Sequence, residues 1–405
     1  MKVKKNIHCY DIEGTPYLLP VGQGIMDHEP CLSTNAVGKL IWEGLERGDG
    51  ELEILDDLMR EFEATEEERP ILKADMDAFI SVLHQHGFFE TPWREPRRGD
   101  EQVAFIGPLA VRYHVPEALY KAYFLPFAPG TAASFSADAK NISCGGDAGS
   151  AELAKSPVDQ TVTFCDHRPF QKPNGMVLVR SNEVLIMETE NSYVILPLLS
   201  KFIHEIQCSK DGHEAFVFGK WEESSACLEE CFSALRFPFL LLVQAKGLSV
   251  MHSASLLYEG KAWLFSGHSG SGKSTHVGLW NSTFQTPWIN GDLNLLGTEN
   301  GQAVCYGLPW CGTSGISTPG RFPLGGITFL KQAPYDKVTH ITGDAFALAV
   351  AQRMITPNWT AAQMQQSITA AERICPLTHG FRLECTKDPS AAIAMKAAID
   401  QALSR

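Results

Sequence analysis

Apolar side chains recur at helical spacing three times before residue 90. Val37, Leu40, Ile41 and Leu45 share one face, as do Leu52, Leu55, Leu58, Met59 and Phe62, and then Leu72, Met76, Phe79, Ile80 and Leu83. Ser33 or Thr34 is positioned to cap the first helix and Gly48 to end it, while the second starts near Glu51. Gly87 ends the third, whose start Pro70 blurs. Extended runs at 9–11 and 16–20 flank Glu13-Gly14, a third lies at 30–32, and Phe88-Phe89 reads as a return strand. Short strands, three amphipathic helices and a terminal wing predict a winged-helix-like domain over residues 1–92. Residues 93–102 follow as a linker, because the stretch mixes proline with charge and has no apolar period.

Downstream the period shortens to that of strands. Residues 103–106, 111–114, 161–164, 176–179, 184–187 and 193–196 are strand candidates, 132–156 is small, polar and loop-like, and together they predict a β-rich lobe over 103–222. Residues 228–242 predict an apolar helix despite Pro238, opening a C-terminal α/β domain over 223–405. In that domain 252–267 reads as a hairpin with Glu259-Gly260 at its two-residue turn, and pairing Tyr258 with Lys261 sets His252 opposite Gly267. Further expectations are a strand at 288–290, a reversal at Glu299-Asn300-Gly301 and a strand at 327–331. Helices at 344–354 (with Thr342 as cap) and 360–373, a strand at 381–384 and a helix at 389–403 complete the chain. The predicted fold class is α/β multidomain: a winged-helix-like N-terminal domain, a β-rich middle lobe and a C-terminal P-loop α/β domain.

Charge changes what the first domain can do. Residues 1–100 hold 11 Lys+Arg against 21 Asp+Glu, a net of −10 out of −13 for the chain. Nucleic-acid binding needs cations that displace counterions from phosphates, so this domain is expected to bind no nucleic acid despite its shape. No apolar run is long enough to cross a membrane, and the 11 scattered cysteines, with no C-x-x-C pair, read as reduced thiols of a cytoplasmic protein. His84, His86 and the Asp166-His167-Arg168 run lack further ligands in register and are assigned no chemistry.

The candidate chemistry lies where the strand Ala262-Trp263-Leu264-Phe265 runs into a glycine-rich turn and a helix. Gly267, Gly272, Lys273 and Ser274 fit G-x-x-x-x-G-K-[ST], in which backbone amides wrap phosphate, the lysine reaches the β- and γ-phosphates and the hydroxyl ligates Mg²⁺. The expected nucleotide-binding set is therefore Gly267, His268, Ser269, Gly270, Ser271, Gly272, Lys273, Ser274 and Thr275, with ATP and Mg²⁺ as ligands. His252, set by register beside the turn, is a candidate base, and Asp292, at the end of the next strand, is a candidate for Mg²⁺ or for a hydroxyl proton. Arg321 is read as a surface arginine away from the phosphates.

Two resemblances follow from these residues. YLLP at 17–20, LSTNAVGKLIWEGLERG at 32–48 and the helices ending in LHQHGFFE are similar to PqqD-like recognition domains of peptide-modifying enzymes. That resemblance implies capture of the leader of a ribosomally made precursor peptide, added as a strand in a groove between Pro30, Cys31, Leu32 and the helix carrying Lys73 and Leu83 (73–83). His252, GHSGSGKST, the acid at Asp292, GLPWCG at 307–312 and PLGGITFLKQA at 323–333 resemble the HPr kinase-like family, related in fold to ATP-dependent phosphoenolpyruvate carboxykinase. It implies catalytic roles for Lys273, His252 and Asp292, with Ser274 and Asp292 on the metal. The family usually shows two adjacent acids, whereas this chain has Gly291-Asp292-Leu293. The reading that joins both resemblances is an ATP-dependent kinase acting on a serine or threonine of a tethered precursor peptide. The alternatives are a nucleotide-binding peptide chaperone without phosphotransfer and a carboxykinase-like or small-molecule kinase. A homo-oligomer is compatible with the sequence.

Overall fold

A computed structural model of the protein describes residues 3–22, 31–89, 101–131, 157–169, 173 and 175–404. The chain divides into two compact units, Met1–Pro96 with Arg168–Pro173, and Arg97–His167 with Asn174–Arg405. The stretch 132–156 and Pro30 lie outside the described residues, as does the expected linker apart from Glu101 and Gln102.

In the first unit β1 (Ile7–Ile12), β2 (Thr15–Pro20) and β3 (Leu32–Ser33) form a three-stranded antiparallel sheet in the order β1-β2-β3. Three helices follow, α1 (Ala36–Arg47), α2 (Glu51–Glu61) and α3 (Arg69–Gln85). Two local expectations are corrected. The cap of α1 is Asn35, whose Oδ1 accepts from Gly38 N–H at 2.9 Å. Ser33 is committed to the sheet opposite Tyr17, and Thr34 N–H donates to Pro16 O, so neither turns into the helix. The face of α2 is Ile54, Leu55 and Leu58, while Leu52 is 71% exposed and Phe62 41%. Pro70 sits in the first turn of α3, where its missing N–H costs nothing. Phe89 bridges Val3, so the return strand is reduced to one pair. The core of the unit joins Ile7, Leu18, Ile41, Trp42, Leu55, Met76, Leu83 and Phe88.

The second unit opens with β4 (Gln102–Ile106), β5 (Leu109–His114), α4 (Glu117–Tyr123) and β6 (Gln160–Cys165). It continues with β7 (Met176–Arg180), β8 (Val184–Glu188), β9 (Ser192–Pro197), β10 (Ile203–Ser209) and β11 (Glu214–Gly219). The six expected strands are present, and α4, β10 and β11 are additions. All eight strands form one sheet, β4-β5-β6-β11-β10-β9-β8-β7. Across it lies α5 (Ser225–Ala245), capped by Ser224, with Pro238 inside the helix. One apolar cluster runs from Ala104 through Phe239 to Trp310, so this sheet, α5 and the strands that follow share a core.

The remaining elements are β12 (Ser249–Tyr258), β13 (Lys261–Ser266), α6 (Lys273–Phe284), β14 (Trp288–Asn290), β15 (Leu293–Glu299) and β16 (Gln302–Gly307). Then come β17 (Arg321–Gln332), β18 (Lys337–Ile341), α7 (Gly343–Ala351), α8 (Ala361–Ile374), β19 (His379–Cys385) and α9 (Pro389–Leu403). Their sheet runs β13-β12-β15-β16-β17-β19-β18, with β14 on β12 and a further pairing of β13 with β17. The chain β13-β12-β15-β16-β17 therefore closes on itself. It can do so because β12 changes partners: residues 249–252 pair with β15 and 253–258 with β13. β17 does the same, on β16 at 321–323 and on β13 at 324–329.

Candidate functional site

The hairpin of β12 and β13 turns at Glu259 and Gly260, both at positive φ (49° and 67°), as a primed two-residue turn requires. Its ladder runs from Tyr258 opposite Lys261 to Ser253 opposite Ser266. The expected next pair, His252 with Gly267, is not formed: β13 ends at Ser266, and His252 pairs with Leu293 of β15 instead. His252 N–H donates to Arg353 O at 3.0 Å, and Ser253 N–H to Asp292 O at 2.8 Å. His252 thus stands at a fork in the sheet, where β13 departs toward the glycine turn, the segment around Arg353 takes its place, and Asp292 closes the other side.

The side chains meet there. His252 Nε2 lies 3.0 Å from Asp292 Oδ1, both about one-third exposed (35% and 30%). That hydrogen bond, with the charges of His252, Lys273 and Arg236, outweighs burial and holds the Asp292 carboxyl below its ordinary range. Burial draws the Lys273 ammonium downward, a shift opposed by Asp292 and reinforced by Arg353. Arg236 is drawn down by burial and supported by Asp292. Five charge-bearing groups, Arg236, His252, Lys273, Asp292 and Arg353, therefore share one electrostatic neighbourhood.

Asp292 is held from behind by a buried amide network. Asn290 Oδ1 accepts from the amides of Asp292 (2.8 Å) and Leu293 (3.0 Å), its Nδ2 donates to Leu308 O (2.8 Å), and its N–H donates to Ser255 Oγ (3.1 Å). Ser255 Oγ in turn donates to Asn294 Oδ1 at 2.6 Å. Packing from 307–315 leaves no space for a second acid at Gly291. A Cβ there would meet the Ser314 side chain and come within 2.9 Å of Cys311 O, while Leu293, on the other side, is buried at 2% exposure.

The turn from Gly267 to Ser274 leads from β13 into α6. Gly270 and Gly272 take φ of 76° and 94°, left-handed values open to glycine without strain. A Cβ at Gly267 would come 2.5 Å from Ser271 Oγ, so only glycine lets the turn close. Ser271 N–H donates to His268 O (3.1 Å), and Gln332 Nε2 donates to Gly270 O (2.7 Å). The ladder of α6 starts with His276 N–H on Gly272 O at 2.8 Å, which leaves the first amides of the helix pointing out of its end, with the positive pole of its dipole. Arg353 Nη2 reaches His268 Nε2 at 2.8 Å. Ser274 and Thr275 are exposed and Lys273 is half-buried. An exposed hydroxyl at Ser274 and an ionised carboxylate at Asp292 are the oxygen donors Mg²⁺ prefers beside a nucleotide's phosphates.

Arg321 Nε lies 2.6 Å from Glu299 Oε2. Sequence reasoning missed Arg236 and Arg353. Arg236 carried a signal, as the one charge in the apolar run at 231–243 of α5; Arg353 carried none. No group of three or more His, Cys, Asp or Glu arranged for a metal occurs among the described residues, and no described helix is long and apolar enough to span a membrane.

Residues 24–88, all within the first unit, match the family described as coenzyme PQQ synthesis protein D (PqqD). Among solved structures, TbiB1 in complex with the TbiA(beta) leader peptide is 26% identical, covering 23% of this chain and 100% of that one, with a TM-score of 0.19. The Hpr(Ser) kinase/phosphatase from Coxiella burnetii is 12% identical, covering 38% of this chain and 97% of that one, with a TM-score of 0.25. At such scores these two likenesses fix neither fold nor activity. Curated proteins yield no match.

Proposed function

We propose that the protein is an ATP- and Mg²⁺-dependent kinase that phosphorylates a serine or threonine of a ribosomally made precursor peptide captured by its N-terminal PqqD-like domain. The observation that carries the reading is the His252–Asp292 pair at 3.0 Å, set in the charge neighbourhood of the lysine that follows the glycine turn. The turn amides hold the phosphates, and Lys273 neutralises the β- and γ-oxygens. His252 accepts the proton of the attacking hydroxyl while Asp292 stabilises the imidazolium. The hydroxyl oxygen bonds to the γ-phosphorus as the bond to the β–γ bridging oxygen breaks, and ADP leaves. Ser274 and Asp292 would hold Mg²⁺, which supplies charge neutralisation on the phosphates. The leader peptide adds to the outer edge of β3, near Pro30, Cys31 and Leu32, beside the 73–83 stretch of α3; among the described residues β3 is the last strand of its sheet.

The absence of room at Gly291 favours a second reading, a chaperone that binds nucleotide and peptide without transferring phosphate. Incubation with γ-labelled ATP, Mg²⁺ and a synthetic peptide taken from a short reading frame beside the gene separates the two. One added phosphate on the peptide, absent with Lys273→Ala, is the outcome of a kinase; retained binding of ATP and peptide with no mass gain is that of the chaperone.

A further inference from the structure

The three parallel strands β13, β17 and β19 lie side by side, and beyond their carboxyl ends a cavity of about 290 Å³ opens next to the glycine turn. Ser271, Gly272 and Thr275 form its near wall. Leu279 of α6, Pro334 after β17 and Thr386 and Lys387 after β19 form the rest, and no carboxylate lines it. Crevices outside the carboxyl ends of parallel strands are where open α/β sheets take ligands. At about 300 Å³, the lower bound for small-molecule sites, there is space for a ring system beside the turn but not for a whole triphosphate as well.

Two buried polar atoms of residues that line it have no hydrogen-bond partner among the described residues. One is Ser271 Oγ and the other His276 Nδ1. His276 is 2% exposed, and its Nε2 accepts from Trp280 Nε1 at 3.1 Å. Nε2 is therefore the unprotonated nitrogen, and Nδ1 carries a hydrogen with nothing to donate it to. A buried donor without an acceptor costs free energy unless a ligand or water satisfies it. Thr386 is held in place by Asp336, which accepts from its N–H at 2.8 Å and its Oγ1 at 3.1 Å, so the far wall is fixed before any ligand arrives. Gln332, another wall residue, ties that side to the turn through Gly270 O.

From these observations we infer that this cavity is the nucleoside site: the base of the nucleotide lies against Leu279 and Pro334 with a ring acceptor near His276, while its phosphates continue past Ser271 and Gly272 into the turn. The inference rests on reading the turn as a phosphate site, and the test keeps the two apart. Calorimetric titration of the intact protein with Mg-ATP and with Mg-tripolyphosphate compares a ligand that has a base with one that lacks it. ATP binds at least about tenfold tighter than tripolyphosphate if the cavity takes the base. Equal affinities overturn the nucleoside site and leave the phosphate turn standing; no binding of either ligand overturns both. Leu279→Trp fills the cavity, and tripolyphosphate binding serves as its own check that the variant is folded. In that variant ATP falls to the affinity of tripolyphosphate, whose own binding is unchanged; ATP affinity that survives the filling overturns the assignment.

Discussion

His252 and Asp292 illustrate how little of a site lies in any one residue. Each is ordinary by type, and their 3.0 Å contact exists because β12 pairs with β15, which sets His252 opposite Leu293, the neighbour of Asp292. If His252 is the base, His252→Asn lowers the rate of phosphate transfer by about 100-fold or more, the usual worth of a positioned base, while the affinity for ATP changes less than about threefold. A parallel loss of ATP affinity would assign His252 to binding instead. A second residue-scale prediction concerns pH. Burial lowers the pKa of His276 from 6.5 to about 4. Between those values the unfolded chain takes up a proton that the folded chain refuses, so the stability this residue supplies is complete above pH 6.5 and declines as pH falls toward 4. Urea unfolding at pH 7.5 and pH 5 should show about 2 kcal/mol of pH-dependent loss that His276→Phe removes. An unchanged difference in that variant would locate the titration elsewhere.

Among the elements, α1 shows how a cap is chosen. Ser33, Thr34 and Asn35 are all good caps by type, and strand pairing decides between them: β3 claims Ser33, Pro16 O claims the amide of Thr34, and Asn35 is the first residue able to turn. Asn35→Ala should therefore cost about 1 kcal/mol in thermal or urea unfolding, while Thr34→Ala costs only a few tenths. The closed chain of strands is the larger example. β12 passes from β15 to β13, and β17 from β16 to β13, along their lengths, and His252 is the last residue of β12 paired with β15 before that change.

At the scale of the molecule, each unit has its own apolar cores, and the acidic one carries the PqqD match. Under the proposed function the recognition domain acts by tethering, which raises the local concentration of the acceptor without touching the chemical step. Peptides with and without their leader segment should therefore be phosphorylated with similar kcat, while KM rises about 100-fold or more when the leader is removed. Equal KM values would mean that the first unit does not deliver the substrate.

Features that depend on near neighbours in the chain could be read from residue order alone. Most helix faces, the primed turns at Glu259-Gly260 and Asn300-Gly301 and the glycines before Lys273 follow from local sterics and hydrogen bonding, and they were legible. Local pattern failed where a distant segment competed for the same groups, as at Ser33 and Thr34, or where a face was tilted by packing, as at Leu52. Long-range packing set the fork of β12 at His252, the approach of Arg236 to Asp292 and of Arg353 to Lys273, the place of Ser314 in the space a second acid needs, and the cavity framed by three strand ends. The physical reason is the same in each case: these contacts join residues far apart in the chain, and their geometry is fixed by sheet pairing and close packing that no window of sequence contains.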